Sequence, residues 1–205
     1  MNKKGKFIVV EGIDGSGSTT QATRMHKFLQ SQKLRSHFTK EPTNYLIGGL
    51  IRSWLTGDWS SSAMCLQLLF TADRAHHLEK EIIPMLEKGV NVICDRYYYS
   101  TVAYGSLDIS DTEWLREINK HFLEPDLVIY LRVSVEEAME RLKKDRNSFE
   151  LFEKEKQLRE VIKQYEAFTN NTDYFMPIDG SNEEKEVFED IKSILRQKLN
   201  IEVSQ

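Results

Sequence analysis

The chain has 205 residues, a formal net charge of −4 and 40% hydrophobic residues, which suits one domain with a sizeable core. Charges of both signs are mixed along it and no basic block stands out, so composition argues against a nucleic-acid-binding protein. No apolar run approaches the ~20 residues needed to span a bilayer, and the basic start Met1–Lys6 is not followed by a signal-like apolar segment, so the expectation is a cytoplasmic protein without membrane contact.

Short apolar runs alternate with longer helical patterns. In chain order, the spacing predicts a strand at 6–10, a helix at 19–32, a strand at 36–40 and helices at 44–56 and 62–88. It continues with a strand at 90–94, helices at 97–106 and 111–121, a strand at 126–133, helices at 135–145 and 151–169, a strand at 174–178 and a helix at 183–198. Val90–Cys94 and Leu127–Leu131 read as strands buried on both faces, as in a parallel sheet. Ser134 with Glu137, and Ser181 with Glu184, have the spacing of capping boxes. Gly89 is placed to stop the helix before the third strand. The pattern predicts a three-layer α/β fold: a central five-stranded, mostly parallel sheet flanked by helices, with right-handed crossovers. One domain is expected over 1–205. The charged segment 140–160 is expected to be its most mobile part.

The segment Phe7–Thr20 carries the strongest functional signal. It reads as a buried strand turning through Gly12, Gly15 and Gly17 into a helix, the form of a phosphate-binding P-loop. The glycines allow close approach of backbone to ligand. The N–H groups around Ser16, Ser18 and Thr20 and the helix N-terminus favour a phosphate. The Thr19 hydroxyl is placed to ligate Mg²⁺. One position departs from the motif: Ser18 stands where a lysine usually reaches the β- and γ-phosphates.

Asp95-Arg96 ends the buried third strand, where parallel sheets open onto a ligand crevice. An acid there suits Mg²⁺ and an arginine suits a phosphate, against the alternative of a structural ion pair. Lys40-Glu41-Pro42 forms an extended turn after the second strand, and Arg52 lies on the next helix. Phe70 and Arg74 are four residues apart and share a helix face. Arg141, Lys143, Lys144 and Arg146 form a basic cluster at a helix end, either a solvated face or a lid (about 141–150) bringing charge to a phosphate. Cys65 and Cys94 sit in apolar runs and are read as buried small hydrophobes. The five histidines lack metal-ligand spacing and are read as structural or surface residues.

Taken together these pieces resemble the thymidylate kinase family over nearly the whole chain. They are E-G-x-D-G-S-G-x-T-T-Q at 11–21, T-K-E-P at 39–42, L-L-F-x-A-x-R at 68–74, D-R-Y at 95–97 and S-T-x-A-Y at 100–104. The resemblance implies transfer of the ATP γ-phosphoryl to dTMP with Mg²⁺, in dTTP synthesis, by a homodimer. It implies that Asp14 binds the sugar 3′-hydroxyl, Phe70 stacks on thymine and Arg74 meets its polar edge. Glu41, Pro42, Ser100 and Thr101 would line the acceptor site, and Tyr104 would crowd a 2′-hydroxyl. Arg52 and Arg96 would hold the dTMP phosphate, with Asp95 at the metal and Asp179 near adenine. Arg141, Lys144 or Arg146 would bring charge from the lid. Ser18 keeps a second reading open, a nucleotide-binding protein with little catalysis. Thr43, Asn44 and Gly105, which depart from the family pattern, leave room for another acceptor such as dUMP.

Overall fold

A computed structural model describes residues 4–142 and 148–199, and side chains there except for 148–153. The strands are β1 (Phe7–Gly12), β2 (Ser36–Lys40), β3 (Asn91–Asp95), β4 (Leu127–Arg132) and β5 (Phe175–Asp179). The helices are α1 (Ser18–Ser31), α2 (Leu46–Leu55), α3 (Ala63–His77), α4 (Ile83–Glu87), α5 (Tyr98–Gly105), α6 (Thr112–Glu117), α7 (Val135–Leu142), α8 (Ser148–Asn171) and α9 (Glu184–Leu199). The sheet order is β2-β3-β1-β4-β5. All of its pairings are parallel, so the expected mostly parallel sheet is wholly parallel.

Alternation along β1 explains the layers. Phe7 and Val9 join a core with α4, α5 and α8, whereas Ile8 and Val10 point the other way into a core with α1 and α9. Side chains such as Val9 and Ile129 are completely buried, each worth roughly 1.5–3 kcal/mol on transfer from water. With both faces covered, the strands need no polar alternation, which is why the sequence shows continuous apolar runs.

The chain leaves β1 toward β2 on one side and leaves β3 toward β4 on the other. The crevice between the ends of β1 and β3 is therefore the switch point of the sheet, where doubly wound folds bind ligands. Register sets Val10 beside Asp95 there.

Several expected elements differ in detail. The single helix at 62–88 is interrupted by a π-helical stretch, Leu78–Ile82, between α3 and α4. The helix predicted at 111–121 is only Thr112–Glu117. Gly89 does end α4, in a left-handed conformation with φ of 72°, and its N–H donates to the Leu86 carbonyl. The Ser134–Glu137 capping box forms, each residue bonding the other's backbone N–H. The Ser181–Glu184 box does not, because the Ser181 hydroxyl donates to Glu137 instead. Cys94 is buried as expected, but Cys65 is exposed in the first turn of α3. Within the segment 140–160, everything described is helical.

Candidate active site

Local sequence builds the loop between β1 and α1. Gly15 and Gly17 have φ of 86° and 90°, a left-handed region that disfavours other residues. A Cβ at Gly15 would lie 2.6 Å from the Ala138 carbonyl, so the loop packs tightly on α7. A Cβ at Gly17 would meet nothing within 4 Å, so the loop is open on that side. Ser18 is buried as the first residue of α1, and no lysine stands there.

At the foot of this loop, Thr19 Oγ1 donates to Asp95 Oδ2 at 2.5 Å. The other carboxylate oxygen, Asp95 Oδ1, is buried without a partner. Buried polar atoms are normally satisfied, and a hydroxyl beside an under-used carboxylate is a hard oxygen donor set suited to Mg²⁺. Thr19 and Asp95 therefore fit the metal.

Beside the loop lies a cavity of about 380 Å³. The structure brings together Asp14, Glu41, Pro42, Phe70, Arg74, Arg96, Ser100, Thr101 and Tyr104 around it. Arg52 is not among them. It donates to the carbonyls of Pro42 and Thr43, behind the Glu41–Pro42 turn.

The floor of the cavity is an ordered polar network. Arg74, only 1% exposed, donates to Glu41, Asn119 and Thr101. Glu41 also meets His77 at 3.1 Å, and the other His77 ring nitrogen meets Thr39 at 2.8 Å. His77, Glu41 and Cys94 come within 4.8 Å of one another, a grouping their sequence spacing conceals. Arg74 and Thr39 engage the first two, so their roles here are structural.

Arg96 follows β3 with φ of 70°, unusual for a non-glycine residue and typical of strained functional positions. Its guanidinium reaches Asp14 at 2.8 Å and Ser100 at 3.2 Å. Asp14 also accepts from Tyr104 at 3.0 Å and from Lys154 at 2.6 Å. Burial pushes the Asp14 carboxyl up, but Arg96 and Lys154 outweigh it and hold it below its ordinary value. Asp14 thus stays an anion between two cations.

Glu11, the residue before Gly12, is fully buried. Burial raises its pKa to about 7, even though Ser100, Arg96, Tyr165 and Tyr97 all favour the ionised form. Its carboxylate accepts from Tyr97 N–H at 2.8 Å, the Ser100 hydroxyl at 2.6 Å and the Tyr165 hydroxyl at 2.9 Å. It therefore anchors the turn carrying Arg96 and the start of α5 to the base of the P-loop.

On the far side of the loop, Arg141 donates to the carbonyls of Gly15, Ser16 and Gly180. Asp179 accepts from Ser181 N–H in the turn after β5. Thr20 is exposed on α1. A wider hollow of about 740 Å³ opens beside that turn, lined by Asp179, Ser181 and Glu137 but by no residue of the P-loop. Lys143, Lys144 and Arg146 lie outside the described residues, and so does part of the expected lid.

The sequence reading missed Lys154, Gln67, Asn119 and Tyr165. Lys154 belongs to a charged helix that looks like an ordinary solvated face. Gln67 is buried among leucines of α3, borders the cavity and has no partner for Oε1. Its position three residues before Phe70 places it near the same helix face, which is the one signal that pointed to it.

A family model described as thymidylate kinase matches residues 10–191. A protein of Brachyspira hyodysenteriae named thymidylate kinase is 34% identical, over 95% of each chain. Proteins named "probable thymidylate kinase" show similar likeness. That of Methanococcus aeolicus is 41% identical over 95% of this chain and 96% of its own. That of Staphylothermus marinus is 36% identical over the same shares. With its P-loop, its Asp95-Arg96 turn and its cavity in one crevice, the chain belongs to the thymidylate kinase family.

Proposed function

We propose that the protein transfers the γ-phosphoryl group of ATP to dTMP, giving ADP and dTDP. The observation that carries the reading is the Thr19–Asp95 pair, with its unpartnered buried oxygen, at the foot of a P-loop and next to a nucleoside-sized cavity. Family membership supports the same reaction.

In this reading the P-loop amides hold the ATP phosphates, and Arg141 and Asp179 border the adenine end. Thr19 and Asp95 would hold Mg²⁺, which would supply positive charge to the phosphates. In the acceptor cavity Phe70 offers a flat face to the base. Arg74, fixed by Glu41 and Asn119, presents Thr101 and its own remaining N–H to the polar edge. Asp14 accepts from the sugar hydroxyl, and Tyr104, donating to Asp14, stands where a 2′-hydroxyl would go. Arg96 holds the acceptor phosphate, and Arg52 would join it only on leaving the Pro42 and Thr43 carbonyls. Catalysis then comes from positioning and charge, without a covalent enzyme intermediate.

The functional unit in this reading is a homodimer. Its support is the apolar side chains exposed on α2 and α3, where Leu46 is 83% exposed and Leu50, Met64 and Leu68 are also uncovered. Exposed apolar side chains paired on a helix face in this way mark association surfaces.

The test is ADP release from Mg-ATP with dTMP, dUMP or dGMP as acceptor. dTMP should support the fastest turnover. Nucleotide binding without dTMP-dependent ADP release would overturn the reading and leave a binding protein.

A further inference from the structure

Lys154 reaches the P-loop from outside it. Its Nζ lies 2.6 Å from Asp14 Oδ2, and Asp14 stands between Gly12 and Gly15 of the loop. The side chain is 21% exposed and passes 5.9 Å from the Tyr104 ring centre. It borders the same cavity as Arg96. Among the described residues, the neighbouring arginines are engaged, Arg96 by Asp14 and Ser100. Arg74 is bound by Glu41, Asn119 and Thr101, and Arg141 by the carbonyls of Gly15, Ser16 and Gly180. At the start of α1, Ser18 offers only a hydroxyl where the general motif carries an ammonium.

We propose that Lys154 supplies the cation that position 18 lacks. Asp14 holds it beside the loop before substrate binds. When the acceptor sugar takes over Asp14, the Lys154 ammonium turns to the transferring phosphoryl group. A compact charge on a flexible four-carbon stem suits that movement better than a rigid fork does. In the transfer, an oxygen of the acceptor phosphate dianion forms a bond to the γ-phosphorus. The bond from that phosphorus to the β,γ-bridging oxygen breaks, and its electron pair leaves with ADP. Lys154 keeps its proton throughout and acts by charge alone.

The inference rests on the dTMP kinase reading, so the natural protein is assayed first. Lys154→Met, Lys154→Arg and the double variant Ser18→Lys/Lys154→Met follow, each with dTMP binding by calorimetry and a melting temperature. Lys154→Met should lower kcat by about 30-fold or more, the scale of losing one charge-stabilising donor, while the KM for dTMP stays within about threefold. Lys154→Arg should recover part of that loss, and Ser18→Lys should restore kcat in the Lys154→Met background. A role limited to holding the fold would lower the melting temperature and would not respond to a lysine at 18. If kcat of Lys154→Met stays within about threefold of the natural protein, or the loss falls on KM alone, or Ser18→Lys recovers nothing, the proposal is wrong. Should Lys154→Met fail to fold, Lys154→Gln serves in the same comparisons. No turnover by the natural protein overturns the underlying kinase reading, whereas normal turnover by both proteins overturns this inference alone.

Discussion

Thr19 on α1 and Asp95 at the end of β3 share a hydrogen bond of 2.5 Å, and the outer oxygen of that carboxylate is buried with no partner. Two segments 76 residues apart thus present oxygen donors to one point beneath the P-loop. Asp95→Asn would keep the shape and remove the charge. We expect kcat with Mg-ATP to fall by about 100-fold or more, in line with loss of a metal-orienting carboxylate. Its apparent requirement for Mg²⁺ should rise, and chelation should abolish turnover of the natural protein. A variant with an unchanged metal titration would remove Asp95 from the site.

The Glu11 carboxyl has a different consequence, visible in stability. It releases its proton near pH 7 when folded, against 4.5 for an ordinary glutamate. Between those values the folded protein binds a proton that the unfolded chain has lost. Stability from this group therefore decreases as pH rises from about 4.5 to about 7, by at most ~1.4 kcal/mol per pH unit, and then levels off. Glu11→Gln cannot ionise, yet its carbonyl can still accept from Tyr97 N–H while its amide faces the Ser100 and Tyr165 hydroxyls. Urea unfolding at pH 5 and pH 7.5 should show a smaller difference for Glu11→Gln than for the natural protein. Equal pH dependence in the two would mean that Glu11 titrates normally.

The parts of the site that the sequence reveals are those built by contiguous residues. Gly12–Thr20 and Asp95-Arg96 each lie at a strand end, so the strand pattern alone places them at the crevice. Phe70 and Arg74 are found through helical spacing. Lys154 was not visible, because its link to Asp14 spans 140 residues and its own neighbourhood is an unremarkable run of charges. Asn119 was hidden similarly, since its bond to Arg74 joins α3 to the turn after α6, with no shared motif. Cys65 was misplaced because an apolar run on a helix has an exposed side as well as a buried one. The π-helical stretch in 62–88 left no mark in composition, because a widened turn alters facing without altering residue type.

Association should depend on the apolar side of α2 and α3. Leu46 and Leu50 are four residues apart on α2, and Met64 and Leu68 likewise on α3, so each pair lies on one helix face. Leu46→Glu/Leu50→Glu should convert a two-chain particle into single chains in sedimentation experiments, with helix content preserved. If the natural protein sediments as a single chain at micromolar concentration, this face does not pair with a second copy.

Removal of one partner of the buried Arg74–Glu41 pair should be severe. Their side chains are 1% and 4% exposed and meet at 2.8 Å. Arg74→Met leaves Glu41 buried opposite His77 alone and should cost about 3–5 kcal/mol in urea unfolding. Glu41→Gln/Arg74→Met should cost less than the two single changes added together, because the uncompensated charge is gone. Strict additivity would show that the two groups do not depend on each other.

Gly105, the last residue of α5, and Gln67 on α3 share one space. A Cβ at 105 would lie 3.0 Å from Gln67 Cδ and 3.1 Å from Leu115 Cδ1. Gln67 is 5% exposed, borders the acceptor cavity, and leaves Oε1 unpaired. An amide arriving from α3 therefore fills the volume that a side chain at 105 would use. Gly105→Gln alone should overpack this point and destabilise the protein by about 1–3 kcal/mol. Gln67→Ala alone should leave a cavity and weaken dTMP binding, since its amide borders the acceptor cavity. The double variant Gln67→Ala/Gly105→Gln exchanges which helix supplies the amide, so it should recover most of the stability lost by Gly105→Gln. A double-mutant cycle by urea unfolding, paired with the KM for dTMP, decides the matter. Coupling near zero would mean that the two positions do not compete for the space. Coupling in stability without any change in KM would confine Gln67 to packing.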